Sequence, residues 1–144
     1  MNPKEFYDVI TLFDVLEHLD NPKQVFDIIN KKLKVGGICV AYTPNIYSVA
    51  YELMGSKQNT LLPFEHLCFF SEEAFEYLAK NTSFSVERVE TFGLDVLDYF
   101  LLKEFEYSDT YIKKFHDLIN LTQAIFDKYQ LSNHFRVVFR KISK

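Results

Sequence analysis

The chain has 144 residues, 48% of them hydrophobic, including 15 Phe and 9 Tyr, so it holds one domain at most with enough apolar mass for a real core. A formal net charge of −4 argues against general affinity for nucleic acid or an anionic bilayer, since both need a basic surface. No apolar run approaches the roughly 20 residues that span a membrane, and Cys39 and Cys68 form no metal-type pair, which fits reduced thiols in cytoplasm.

Lys4 and Glu5 have no apolar stretch behind them, so no signal peptide is expected. Phe6 to Phe13 reads as a strand apolar on both faces, as a central parallel strand does. Asn21-Pro22, with Gln24 three residues after the cap, then opens a helix. Val25, Ile28, Ile29 and Leu33 fall on one face of it, Lys31, Lys32 and Lys34 crowd its last turn, and Gly36-Gly37 is expected to end it. Ile38 to Tyr42 is a second apolar strand, stopping at Thr43-Pro44-Asn45. Strand, helix and strand in this space make a βαβ unit.

Residues 45–70 read as loop. Ser71 caps a further helix that begins with Glu72 and Glu73, and Phe84 to Phe92 is a more polar strand, nearer an edge. Leu94 to Leu131 is dominated by helical periodicity, with Ser108-Asp109 as an internal cap. Its long stripe includes Ile112, Phe115, Leu118, Ile119, Ile125, Phe126 and Tyr129. Phe135, Val137 and Phe139 alternate with Arg136, Val138 and Arg140 in a closing strand that has one wetter face. Arg136, Arg140, Lys141 and Lys144 read as its solvated edge.

Four motifs follow one another: Asp14-Val15-Leu16-Glu17-His18-Leu19 with Asn21-Pro22, then Gly36-Gly37, Thr43-Pro44-Asn45 and Glu65-His66-Leu67-Cys68-Phe69-Phe70-Ser71. In that order they resemble the second half of the class I S-adenosylmethionine-dependent methyltransferases, and in particular the small-molecule branch that includes the ubiquinone-biosynthesis O-methyltransferases. The resemblance covers residues 5–93 and 134–142. It implies an α/β fold: a partial Rossmann-like mixed sheet of about four strands with flanking helices. Residues 1–144 would form one partial domain, and 94–131 would be a helical insertion, or lid, before the last strand.

The same resemblance implies methyl transfer from S-adenosylmethionine to a small-molecule acceptor in the cytoplasm. The chain has Gly36, Gly37, Gly55 and Gly93 but no glycine-rich turn after a strand. The front half of such an enzyme is therefore expected to be missing, with weak or no cofactor binding by this chain alone. The Phe6–Phe13 strand would lose a neighbour and expose an apolar edge, free to pair with that half or with a second copy. The rival reading is a catalytically silent fragment or interaction module working through that edge.

Ligands of open α/β sheets bind outside the carboxyl ends of the strands, which puts Phe13 and Asp14 at the mouth of any site. By resemblance Phe13 meets the methionine end of the cofactor; otherwise it ends a buried strand. Asp14, Glu17 and His18 have i, i+3 and i+4 spacing and share one side of a helical turn. They are read either as ligands of a divalent ion, magnesium by resemblance, or as acid and base, or else as structural groups bonding backbone. His66 is either an imidazole that activates a substrate hydroxyl or a cap on the following helix. Tyr42, Thr43 and Asn45 are candidate pocket residues, whereas His116 and His134 read as structural or solvated. The aromatic stripe between Tyr99 and Tyr129 is either core or an acceptor-selecting lid.

Overall fold

A computed structural model describes residues 6–143, so Lys4, Glu5 and Lys144 lie outside the described residues. Its elements are β1 (Tyr7–Phe13), α1 (Pro22–Lys32), β2 (Leu33–Pro44), α2 (Val49–Met54), α3 (Glu72–Lys80), β3 (Phe84–Phe92), α4 (Asp95–Tyr107), α5 (Tyr111–Lys128) and β4 (His134–Lys141), with a short 3-10 turn at Leu16–His18. The strands form one mixed sheet in the order β1-β2-β4-β3. β1 and β2 run parallel, as the α1 crossover requires, and β4 inserts antiparallel between β2 and β3.

Local chemistry accounts for most boundaries. The Asn21 side chain accepts from the Gln24 amide at 3.1 Å, with Pro22 opening α1. Ser71 does the same for Ala74 at the start of α3, and Ser48 for Tyr51 in α2. α1 stops one turn earlier than Gly36-Gly37 predicts. Leu33 is completely buried and pairs with Tyr7, so burial and strand pairing pull the chain out of the helix there. Gly36 sits inside β2 with φ +82, where a side chain would be strained, beside a shift in the β1–β2 register.

Residues 45–70 hold the short helix α2 besides loop. The 94–131 helical stretch divides at Ser108, which has φ +53, into the antiparallel hairpin α4–α5. Phe100 and Phe115 stack across it at 5.1 Å.

One face of the sheet is the core. Phe135, Val137 and Phe139 of β4 and Cys39 and Ala41 of β2 pack against Phe26 and Ile29 of α1 and Phe75, Leu78 and Ala79 of α3. Phe26, Phe75 and Phe139 meet edge to face at 4.9–6.0 Å, a favourable arrangement of ring quadrupoles. Burial pushes the Cys39 thiol up to about 12. Lys141 belongs to this side as well: it is 2% exposed, and its Nζ donates to the Asn30 and Leu33 carbonyls at the end of α1. The solvated edge expected for it is thereby corrected, since those carbonyls offer a buried ammonium acceptors at the negative end of a helix. Arg136 and Arg140 keep that surface role, paired with Glu90 and Glu87.

The reading of β1 as a strand covered on both faces is also corrected. Phe6, Tyr7, Val9 and Phe13 are 49–55% exposed because β1 is an edge with β2 on one side and solvent on the other. The continuous apolar run is a property of the sequence; its burial needs a neighbour that the described residues do not supply.

Candidate functional site at the carboxyl ends of the strands

Register aligns one end of the sheet. Phe13 pairs with Tyr42, and Phe92 with His134, so the last residues of β1, β2 and β3 and the first of β4 share a rim. There a cavity of about 380 Å³ is lined by Asp14, Tyr42, Asn59, Phe92, Gly93, Leu94, Asp98, Asn133 and His134. Such a volume suits a small molecule, at the place where α/β sheets bind ligands. The Phe13 and Tyr42 rings stack at 4.2 Å, and Tyr42 meets Phe92 at 5.0 Å, giving an aromatic wall. Asp14 turns into the cavity through a left-handed backbone conformation, φ +53, which Asp tolerates better than most residues.

The far wall comes from α4 and the turn before it. Gly93 must be glycine: a Cβ there would come within 2.0 Å of the Asn133 Oδ1. Asp95, 1% exposed, accepts at Oδ2 from the Gln123 side chain and the Asn133 amide, and Gln123 in turn accepts from the Val96 amide. These bonds tie the α4–α5 hairpin to the sheet. Burial pushes the Asp95 carboxyl up, against the pull of Gln123 and the backbone amides. Asp98 sits one helical turn on and accepts from the Asn133 Nδ2 at 3.1 Å. Burial raises its carboxyl too, opposed by hydrogen bonds from Asn59 and Asn133 and by nearby His134.

The acidic-histidine turn is built differently from its spacing. Glu17, His18 and His66 converge, with one ligand-type atom of each within 4.8 Å of the others, and Asp14 is not among them. The positive φ at Asp14 breaks the helical turn before it begins, so the expected Asp14-Glu17-His18 trio does not assemble. Glu17 is 1% exposed and accepts from the Thr43 hydroxyl at 3.0 Å, while its carbonyl takes the Leu67 and Cys68 amides. His18 Nδ1 meets the Glu65 carbonyl, and His66 Nδ1 the Thr60 carbonyl, both at 2.8 Å. The rings lie edge to face at 4.8 Å. Together these groups latch the 60–70 loop to the turn. His66 does not line the cavity and does not cap α3, a task that Ser71 performs.

Two imidazoles and one carboxylate also make a poor magnesium site, because magnesium takes oxygen ligands. Magnesium therefore does not fit the residues that converge here.

Of the other candidates, Tyr42 lines the cavity, but Thr43 is buried beneath Glu17, and Asn45 is buried and donates to the Ser132 carbonyl. His116 is exposed beside Asp117. His134, read as structural or solvated, lines the cavity. Sequence reasoning missed Asn59, Phe92, Gly93, Leu94, Asp98 and Asn133. One signal was available: an antiparallel β4 must start where β2 and β3 end, which brings Asn133-His134 to the same rim as Phe92-Gly93.

An antiparallel strand set between β2 and β3, with a ligand-sized cavity at the strand ends, defines a Rossmann-like methyltransferase domain. The methyltransferase-domain family model matches residues 1–89, and the chain belongs to that family. Its fold is shared with a S-adenosylmethionine-dependent methyltransferase from Archaeoglobus fulgidus (TM-score 0.59, 15% identity, 96% of this chain and 61% of that one). A S-adenosylmethionine-dependent methyltransferase from Mesorhizobium loti is similar as well (0.56, 16%, 96% and 63%). So is the geranyl diphosphate C-methyltransferase from Streptomyces coelicolor A3(2) (0.54, 15%, 93% and 47%). The chain thus spans between about half and two thirds of the length of these structures. No curated protein matches it in sequence.

Proposed function

We propose that this chain is the acceptor-side part of a S-adenosylmethionine-dependent methyltransferase that modifies a small molecule. The observation that carries the reading is the cavity at the carboxyl ends of β1 and β2, beneath α4, within a chain of the methyltransferase-domain family. Phe13 fits the methionine end of the donor: its ring is 49% exposed, stacked on Tyr42, and next to Asp14. The donor supplies a methyl group already activated by its sulfonium. The chain's own part is then positioning and exclusion of water. Tyr42 and Phe92 wall the acceptor, Asp14 and Asp98 offer it carboxylates, and the α4–α5 hairpin acts as the lid, anchored through Asp95 and Gln123. The quinone O-methyltransferase branch remains part of this proposal through its motifs alone.

The adenosine end of the donor finds no glycine-rich turn in the sequence, so the chain alone binds the donor weakly and gains affinity from a partner. That partner is a front-half domain, or a second copy of the chain, pairing with the Phe6–Phe13 edge. A net charge of −4 supports a partner that is neither nucleic acid nor bilayer, and among the described residues no helix is long and apolar enough to cross a membrane. Titration calorimetry with S-adenosylhomocysteine tests the assignment. Heat that disappears in a Phe13→Ala variant supports it, whereas no heat at millimolar ligand, with or without a front-half domain, overturns it.

A second reading, a silent interaction module, is favoured by the half-exposed apolar side chains along β1. It expects stable self-association in sedimentation without any donor binding.

A further inference from the structure

We propose that the cavity selects its acceptor as an organic ammonium, held by the Asp98 carboxylate against the Tyr42 and Phe92 rings. This rests on the methyl-transfer reading above and names the class of substrate for the same site.

Among the described residues no lysine or arginine lines the cavity, while two carboxylates, Asp14 and Asp98, do. Asp98 is half-buried and held by neutral amides, Asn133 at 3.1 Å and Asn59. A carboxylate drawn out of water and hydrogen-bonded only by amides, with the His134 imidazole nearby, retains much of its need for a cation. The rings beside it favour the same guest, since an ammonium is attracted to an aromatic face. One face of Phe92 already carries the Arg136 guanidinium at 5.7 Å, so this ring does accept a cation here. Arg136 is itself neutralised by Glu90 and is not among the lining residues.

An anionic acceptor would meet like charge at Asp14 and Asp98. An alcohol would be bound but would leave the Asp98 charge unanswered. Tyr42 and His134 are the other titratable groups on the cavity wall, and the His134 Nδ1 is 2.9 Å from the Asn133 Oδ1. Burial pushes the Asp98 carboxyl up, and an incoming ammonium would reverse that shift, so binding and ionisation support one another.

The chemistry balances. The ammonium gives one proton to Asp98, the freed nitrogen lone pair forms the N–CH3 bond, and the carbon–sulfur bond breaks with its electrons returning to sulfur. The donor leaves as a neutral thioether, the product is an N-methylammonium, and Asp98 passes its proton to solvent.

The test uses the whole chain with benzylamine, benzyl alcohol and benzoate as probes of matched shape, read by calorimetry and by shifts of the Tyr42 and Phe92 ring resonances. Benzylamine is expected to bind about ten- to a hundredfold more tightly than either analogue, as a charge-assisted contact implies. Asp98→Asn should remove that preference, bringing benzylamine down to the affinity of benzyl alcohol. Asp14→Asn, a residue well suited to the left-handed backbone there, should reduce it by a smaller factor, and it serves if the Asp98 variant does not fold. Equal binding of amine and alcohol, tighter binding of benzoate, or no binding of benzylamine overturns the proposal. S-adenosylhomocysteine is titrated separately. A chain that takes it but fails the amine test loses only the ammonium assignment, whereas amine selectivity without donor binding sinks the donor reading and leaves the site.

Discussion

β4 serves two surfaces with alternate residues, and the two have met different fates. Phe135, Val137 and Phe139 are at most 4% exposed under α1 and α3. Their neighbours Arg136, Val138 and Arg140 share the opposite face with Ile38, Val40, Glu87 and Arg88, around an open hollow. That second face continues onto the β1 edge, where Val9 is 50% exposed. Both faces carry β-branched side chains, but the open one adds Arg88, Arg136, Arg140 and Glu87, whereas the covered one is apolar. Cover follows that difference: α1 and α3 lie over the apolar side, and the ion-paired side stays open to water. Only towards β1, at Val9, does the open face become apolar.

Phe139→Ala should cost about 3–5 kcal/mol of unfolding free energy, since it empties a site that Phe26 and Phe75 cannot collapse into. Val138→Ala, one residue away on the open face, should cost about 1 kcal/mol or less. Urea denaturation of the pair measures the contrast, and equal losses would refute it.

Glu17→Ala comes next. It strands the Thr43 hydroxyl in the core and loosens the turn that holds the 60–70 loop, for about 1–3 kcal/mol. Proteolysis should then cut first between residues 60 and 70, and EDTA should not change the wild-type melting temperature.

Asp95 makes the anchorage of the α4–α5 hairpin depend on pH. Its carboxyl is raised in the folded state by burial, so the folded chain keeps a proton that the unfolded chain has already released. Stability from the neutral form is complete below the ordinary carboxylate range and is lost as pH rises through the raised value. Asp95→Asn should therefore gain on the wild type as pH climbs across that window, in melting curves taken at successive pH values. Glu90 runs the other way. Its hydrogen bond from Arg136 holds it low, and its contribution fades as pH falls.

The smallest effect on stability belongs to the edge. Val9→Lys should leave the unfolding free energy within about 0.5 kcal/mol while suppressing self-association or front-half capture in sedimentation. A large loss of stability would mean that β1 is packed more tightly than its exposure indicates.

Much of this was legible in the residues. Asn21-Pro22 and Ser71 marked helix starts through their own hydrogen bonds, Phe84–Phe92 was bounded correctly, and alternation in β4 foretold which residues are buried. The errors have physical causes. Gly36-Gly37 looked like a helix stop, but a buried Leu33 ended α1 sooner. The candidate site was half legible: Tyr42 and Asp14 came from the strand-end rule, and the Glu17-His18 pair came from spacing. His66 joins that pair across 47 residues of sequence between His18 and Glu65, a closure that only tertiary packing creates. Asp98 was invisible because a carboxylate in the first turn of a helix ordinarily reads as a favourable surface charge.

Lys141 carries a consequence for how the protein is made. Its ammonium closes on carbonyls of α1 across 108 and 111 residues of chain, and the strand that bears it stands in the middle of the sheet. A ribosome delivers β3 well before β4, yet the two halves of the sheet have no shared hydrogen bonds until β4 emerges to join them. Until β4 is made, β3 has no strand to pair with, while β1 and β2 hold only each other. Chaperone occupancy on stalled translation intermediates should fall sharply once that segment clears the exit tunnel.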